Sequence, residues 1–480
     1  MKLKNLIKVL AFLLVGIFLF VGIYKVLSWK DTSGAQSSVF SSIYATDDNL
    51  VDVLFLGSSH CYCTINNAIL WDDYGLSTFD MAVSGQDMVS TYYCFKEALK
   101  TQKPKVVCVE MTYAGWYGYD VEGNLFRNIL NYSYSRNYYD AVTSLMDEDR
   151  QMDVLLKIPI IHTRYKELTE YDFTAQKVFN RGFSGSYSIG SSYRSDYDPK
   201  DDIVALKQDT EEWIYKIINL ARENNIEICF FLSPFPPNEM VSGNYRALAQ
   251  LADQENIPFI NFLEKYDELN IDCNTDYRDV THMNNSGAEK ITDYMGKYLV
   301  NNYSLIDHRG NDTYELWEEN STDWKHQETQ QSLITAPDFA TYINYLKNLD
   351  NYTVVLSLDG TYSSASAAIQ QVVEILGINK ETFDQGGTFV LENNLFKYFS
   401  EGKSEYLYHQ EIGNSDLKVQ GMIMDTDENG TETLGNEIVI DNTDYKKVLN
   451  GINIVVYDNF SDSVVDAVGY NTDDSLNPVR

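Results

Sequence analysis

From Val51 onward the chain repeats one unit: a short apolar run, then a stretch with one apolar and one polar face. The apolar runs are VDVLFLG at 51–57, STFDMAVSG at 77–85, KVVCVEM at 105–111, IEICFFL at 226–232 and PFINF at 258–262. They are too short for core helices and too continuously apolar for strands with one wet face, so they read as strands buried on both sides. Between them a helix is predicted over 87–102, where Met88, Tyr92, Phe95 and Leu99 recur at helical spacing and give one packing face. Further helices are predicted over 203–224, 245–255 and from Ser286, where Ser286 and Glu289 form an S-x-x-E capping box. Repeated strand–helix units build a mostly parallel sheet covered on both faces, a three-layer α/β fold, and such sheets carry their sites at the C-terminal ends of the strands.

The segments outside that repeat set the domain plan. Residues Val9 to Tyr24 are unbroken apolar or aromatic, and Lys25, Val26, Leu27 and Trp29 extend the run to roughly twenty residues, enough to span a bilayer. Lys2, Lys4 and Lys8 precede it, which keeps the N-terminus cytoplasmic and places the body outside; no small-x-small cleavage site follows, so residues 1–30 read as an uncleaved membrane anchor. Residues 31–48 read as a linker and 49–305 as the α/β domain. Within it, about 120–200 is an insertion rich in Tyr, Asn, Ser and Asp, suited either to a glycan groove or to an irregular excursion. Residues 306–335 are polar and read as a linker or docking strap, and 336–480 as a β-rich α+β domain with a helix at SSASAAIQQVVEILG. That last domain offers one histidine, His409, and no cysteine.

Charge and cysteine usage exclude other classes. The net charge is −33, and the first thirty residues hold five lysines and no acid, so the body is more acidic still. Such a surface repels nucleic acid and anionic lipid. The six cysteines all precede residue 281, and Cys108 and Cys229 fall inside apolar strand-like runs, where a free buried thiol is the common outcome; their pairing stays open. Cys61 and Cys63 lack the partner spacing of a zinc site, so neither a metal nor a cofactor is expected.

Two short motifs carry chemistry. VLFLGSSH at 53–60 puts Gly57, Ser58 and Ser59 directly after a buried strand, and DVTH at 279–282 puts Asp279 and His282 near the end of the same domain. A serine hydroxyl needs an imidazole to take its proton and a carboxylate to orient that imidazole, and Ser59, His282 and Asp279 supply one of each. Separately the motifs are weak, since small residues turn a chain and Asp or His before a helix can cap it. Together, in this order, they point to a nucleophilic serine.

This stretch, about residues 49–305, resembles the SGNH (GDSL-type) hydrolase superfamily, whose first block is Gly-Asp-Ser and whose last is Asp-x-x-His. The resemblance implies Ser59 as nucleophile and Asp279 and His282 as its relay, with Ser58 in place of the usual aspartate. It also implies oxyanion donors at the amide of Ser59 and at Gly85 in AVSGQ. The family's Gly-x-Asn block is absent, since that strand ends in VEMTYAG at 109–115. A carboxylate such as Glu110 serves an oxyanion only when protonated, which leaves Gln86 or Thr112 for the third donor.

The Gly-Ser-Ser block and the anchor resemble the DltD-like and polysaccharide O-acetyltransferase branch. That branch implies an extracytoplasmic esterase or acyltransferase on O-acyl, O-acetyl above all, groups of a cell-envelope glycan, with a membrane acyltransferase as a further partner. VVLSLDG at 354–360, EILGI at 374–378 and GINIVVYDNFSDSVVDAVGYNT at 451–472 are similar to the interleukin-like EMT inducer domain, which implies a glycan-binding or interaction module. The alternative to an enzyme is a protein that holds glycan or scaffolds an acylation complex without chemistry.

Overall fold

The computed structural model describes residues 3–28, 38–115, 127–169, 172–173, 180–347, 349, 351–359, 376–378, 387–401, 403–426, 432–449, 451–471 and 477–480. Two compact units divide between Trp324 and Lys325.

In the first unit, β1 (Val53–Leu56), β2 (Thr78–Asp80), β3 (Val106–Glu110), β4 (Glu227–Leu232) and β5 (Phe259–Asn261) form a parallel sheet in the order β2-β1-β3-β4-β5. Side chains alternate across a strand, and both sides are apolar here. Leu54, Leu56, Val107, Val109, Phe230 and Leu232 join one core with the helices Met88–Ala98, Gln208–Glu223 and Glu239–Glu255. Val53, Phe55, Val106, Cys108, Cys229 and Phe231 join another with Ile291, Met295 and Leu299 of the helix Asn285–Asn302. This is the fold class expected from the repeat. The chain leaves β1 for β2 at the edge and then crosses back to β3, so the order reverses between β1 and β3, the place where open parallel sheets form a crevice beyond the C-terminal strand ends.

Several expected boundaries move. The capping box is not formed: Asn284 caps the last helix by accepting from the Gly287 amide at 3.2 Å, while Ser286 donates to Asp276 at 2.8 Å. Asn284 starts the helix two residues earlier than the box would, and so ties it to the loop that carries His282. The described part of the expected 31–48 linker includes a helix, Ser38–Ala45, with Val39, Phe40 and Ile43 fully in the core. The expected 306–335 linker holds the helix Glu315–Thr335. Its buried stripe includes Trp317, Ser321 and Trp324, and the serine in the middle hid the apolar period. Trp317 is anchored further by donating to the Thr78 carbonyl at 2.9 Å.

The insertion is half helical and half extended. Arg136–Leu145 and Glu148–Leu156 are helices, the first capped by Ser135, and Tyr138, Ala141, Val142 and Val154 join the core. Residues 183–198 run without regular structure against the Asp-x-x-His loop. The helix Leu3–Leu27 contains a 21-residue span, Ile7–Leu27, of mean hydropathy 2.5, long and apolar enough to cross a membrane, a property that anchors share with signal sequences. All six cysteines are free thiols, and Cys108 and Cys229 lie opposite each other across β3 and β4.

The second unit is antiparallel. One sheet has β6 (Tyr352–Asp359), β7 (Gly387–Glu392), β8 (Leu395–Phe399), β13 (Gly451–Asp458), β14 (Ser463–Tyr470) and β15 (Pro478–Val479) in the order β15-β14-β13-β6-β7-β8. The other has β9 (Tyr406–Ile412), β10 (Ser415–Thr426), β11 (Glu432–Ile440) and β12 (Thr443–Asp444) in the order β12-β11-β10-β9. The helix Phe339–Leu346 covers the first sheet through Phe339, Tyr342, Ile343 and Leu346. The helix expected at 363–377 lies outside the described residues apart from its last two positions. His409 is exposed and pairs with Asp416.

Candidate active site

β1 delivers the serine at the crevice. Leu56 pairs with Val109, which sets Gly57 beside Glu110. A Cβ on Gly57 would stand 2.6 Å from the Glu110 Cβ, and the Gly57 φ of +154° is one that side chains rarely adopt, so only glycine lets the two strands end this close together. The chain then turns into the short helix Ser59–Tyr62. Ser58 caps it, accepting from the His60 amide and donating to Glu110 Oε2, each at 3.3 Å. Ser58 is therefore turned into the protein and Ser59 toward the crevice.

There Ser59 Oγ lies 2.8 Å from His282 Nε2, and His282 Nδ1 lies 3.0 Å from both oxygens of Asp279. Nδ1–H donates to the carboxylate, which leaves the Nε2 lone pair facing the serine hydroxyl. Asp279 Oδ1 also accepts from the Thr281 and His282 amides at 2.8 and 3.0 Å, so a local turn fixes carboxylate and imidazole on one loop. In the sequence His282 stands 223 positions after Ser59 and three after Asp279; the structure brings all three into one chain of hydrogen bonds.

That loop is held from outside. Tyr277 bridges to Met283, and the Arg278 amide donates to the His282 carbonyl at 3.0 Å. The extended part of the insertion lies against it. The Gly190 amide donates to the Tyr277 carbonyl at 2.8 Å, Ser192 Oγ to the Val280 carbonyl at 2.7 Å, and Asn285 Oδ1 accepts from the Ser186 amide at 2.7 Å. A Cβ on Gly190 would meet the Arg278 carbonyl oxygen at 2.5 Å, so the strap approaches as close as backbone allows.

Charge around the relay is graded. Burial lowers the His282 pKa and Asp279 pulls it back up only in part, so the imidazole is neutral at pH 7 and ready to accept a proton. Burial alone would raise the Asp279 carboxyl, but the Thr281 amide and His282 outweigh it and hold it below its ordinary value. His60 stacks on His282 at 4.8 Å between ring centroids, with Phe235 at 5.0 Å on His60. Burial, then the neighbouring His282 charge, keeps His60 well below the ordinary imidazole range; it stays neutral when His282 is protonated. Nothing in the sequence beyond adjacency to Ser59 marked His60 for this place.

The oxyanion candidates separate. The Ser59 amide heads a helix, where the first amides have no intrahelical acceptor. Gly85 holds a φ of +70°, and a Cβ there would come within 3.8 Å of Arg127 Nη1. Gln86 is fully buried and its Nε2 donates to Thr91 Oγ1 at 3.4 Å, which turns its side-chain donor toward the helix that follows rather than toward Ser59. Thr112 donates both its hydroxyl and its amide to Glu110. Burial pushes Glu110 up to about 7, and hydrogen bonds from Thr112, Ser233 and Ser58 limit the rise. Glu110 is thus a buried hub under the nucleophile turn rather than an oxyanion donor. Among the described residues no group of His, Cys, Asp and Glu is arranged to hold a metal ion.

No family model matches the chain. No curated protein matches it either. Among solved structures it is similar to a GDSL-like lipase from Bacteroides thetaiotaomicron, at 14% identity over 56% of this chain and 99% of that one, with a TM-score of 0.29. It is also similar to a protein of the G-D-S-L family from Desulfitobacterium hafniense, at 11% identity over 52% of this chain and 98% of that one, with a TM-score of 0.28. Likeness at this level assigns no activity; the hydrogen-bonded relay of Ser59, His282 and Asp279 is what the chain itself contributes.

Proposed function

We propose that the chain is a serine-dependent acyl esterase or acyltransferase, held at the outer face of a membrane by its N-terminal helix and acting on O-acetyl groups of a cell-envelope glycan. The observation that carries the chemistry is the 2.8 Å contact between Ser59 Oγ and His282 Nε2, continued by Nδ1 to Asp279. His282 takes the Ser59 proton as Oγ bonds to the acyl carbon, and the carbonyl oxygen becomes an oxyanion facing the Ser59 and Gly85 amides. The tetrahedral intermediate collapses, the ester C–O bond breaks, and the leaving alcohol takes the proton from His282 Nε2. Water or a sugar hydroxyl then enters and gives its proton to His282 as its oxygen bonds to the acyl carbon; the Ser59 Oγ–acyl bond breaks and His282 Nε2 returns the proton to Ser59 Oγ. Asp279 keeps the imidazolium oriented throughout.

The glycan and acetyl assignments are supported by the sequence resemblance, and the outer location by Lys2, Lys4 and Lys8 before the apolar span. A membrane acyltransferase would serve as acyl donor if the acceptor is a sugar. Product analysis on an acetylated glycan, with and without acceptor sugar, tests the reading. Free acetate identifies an esterase and an acetyl group moved to the acceptor a transferase; neither product from folded protein would leave a glycan-binding or scaffolding role in its place.

A further inference from the structure

The apolar span ends in a built junction. Arg164 Nη1 donates to the Leu27 carbonyl at 3.1 Å and also to the Ser28 carbonyl, and its Nη2 donates to Asp172 at 2.8 Å. Arg164 and Asp172 are nearly buried, with side chains 11% and 3% exposed. A cation at the C-terminal carbonyls of a helix satisfies groups that have no intrahelical donor and complements the helix dipole. The Tyr24 hydroxyl, one turn earlier, meets that of Tyr134. The insertion is therefore fixed to the end of the span.

Around that junction apolar side chains face outward. Tyr134 is 59% exposed, Met152 62%, Leu156 54% and Tyr165 62%. Met152 and Leu156 stand one turn apart on the same face of the helix Glu148–Leu156. The Tyr134 hydroxyl donates to the Leu156 carbonyl at 3.2 Å, which places the C-terminal end of that helix near Tyr24. Lys157 Nζ, 4.7 Å from the Tyr134 ring centre, is buried and bonded to the Leu130 and Tyr132 carbonyls, so the patch sits on a rigid base. Singly exposed apolar residues are ordinary. A group that continues an apolar helix at the depth where it leaves the hydrocarbon, with tyrosines among the aliphatics, has the composition of an interfacial surface.

We propose that Tyr134, Met152, Leu156 and Tyr165 insert into the headgroup and upper acyl region of the bilayer that the N-terminal helix crosses. The occupant of the patch is lipid, and continuity with the apolar span argues for it. The inference rests on that helix being an anchor. The insertion that carries the patch also reaches the catalytic crevice, since Arg127 Nη1 donates to the Ser84 carbonyl at 3.3 Å beside Gly85. The crevice is then held at a set height above the lipid, suited to substrates presented at the membrane surface.

Spin labels on the full chain in lipid nanodiscs test this, in a Cys273→Ser background because Cys273 is the one cysteine that is not buried. Labels go on Met152→Cys and Leu156→Cys, with Val15→Cys inside the span and Met240→Cys, 53% exposed elsewhere in the unit, as references. Collision with oxygen relative to a water-soluble nickel complex should be several-fold higher at 152 and 156 than at 240, and higher again at 15. A bilayer signal at 15 with values at 152 and 156 equal to that at 240 overturns the proposal alone. Labels at 152 and 156 shielded from both reagents would mean a protein partner and also overturn it. An aqueous signal at 15 removes the anchor and the proposal with it.

Discussion

The two halves of the candidate site are built differently. The nucleophile turn is buried and local: Ser58, Ser59 and His60 are 1%, 8% and 4% exposed, and their placement follows from β1, Gly57 and the neighbouring end of β3 within a few residues. The relay loop is open and non-local: the side chains of Asp279 and His282 are 49% and 21% exposed, and hydrogen bonds from a strap some ninety residues earlier brace the loop. Core packing on two strand ends fixes the serine, whereas backbone bonds across a surface hold the base. One half should fail by steric strain and the other by loosening.

The contrast is sharpest at the two serines. Ser59→Ala should lower ester turnover by several decades, as removal of a catalytic nucleophile does, whereas Ser58→Ala should keep most turnover and cost about 1 kcal/mol of stability as a lost helix cap. Steady-state rates and denaturant midpoints separate the two, and equal losses of turnover would erase the distinction between Ser58, the cap bonded to Glu110, and Ser59, the nucleophile bonded to His282.

Strain comes next. Gly57→Ala puts a Cβ against Glu110 at an unfavourable φ, so a loss of about 1–3 kcal/mol in stability should accompany a turnover drop on the order of 100-fold. Gly190→Ala should loosen the other half: it pushes the Arg278–Asp279 backbone outward and lowers turnover by roughly tenfold to 100-fold, with a smaller change in melting temperature than Gly57→Ala. A melting-temperature loss at Gly190 larger than at Gly57 would reverse the comparison.

The last effect is on stability and not on turnover, a pH dependence under the nucleophile. Glu110 holds its proton up to about 7 in the fold against an ordinary value of 4.5, so between those values the unfolded chain has released a proton that the native protein still binds. Stability then falls as pH rises through that window, by on the order of 3 kcal/mol at most. Glu110→Gln removes this slope and should flatten thermal stability between pH 4.5 and 7; an unchanged slope in the variant would assign it to other groups.

The same division decides what the sequence discloses. Strands of continuous apolar residues announce the parallel sheet, and Gly57-Ser58-Ser59 at a strand end announces the turn, because both are contiguous. The motif order paired Ser59 with Asp279 and His282. The strap is not legible, since Gly190 and Ser192 act through backbone and small polar groups that carry no period. The helix Glu315–Thr335 was hidden for a related reason, a serine at its buried centre. Asn284 outcompeted Ser286 as cap because its side-chain amide also reaches the Thr275 carbonyl at 2.7 Å, a tertiary contact that a capping motif does not encode.

The central claim is that His282 activates Ser59, and labelling of the full-length protein by a fluorophosphonate, read by peptide mass spectrometry, tests it most directly. The expected result is a label on Ser59 and none on Ser58, with a rate that rises with pH along an acid limb centred below 6.5 and falls by orders of magnitude in His282→Ala. Folded protein that leaves Ser59 unlabelled, or that labels it equally fast without His282, would contradict the account.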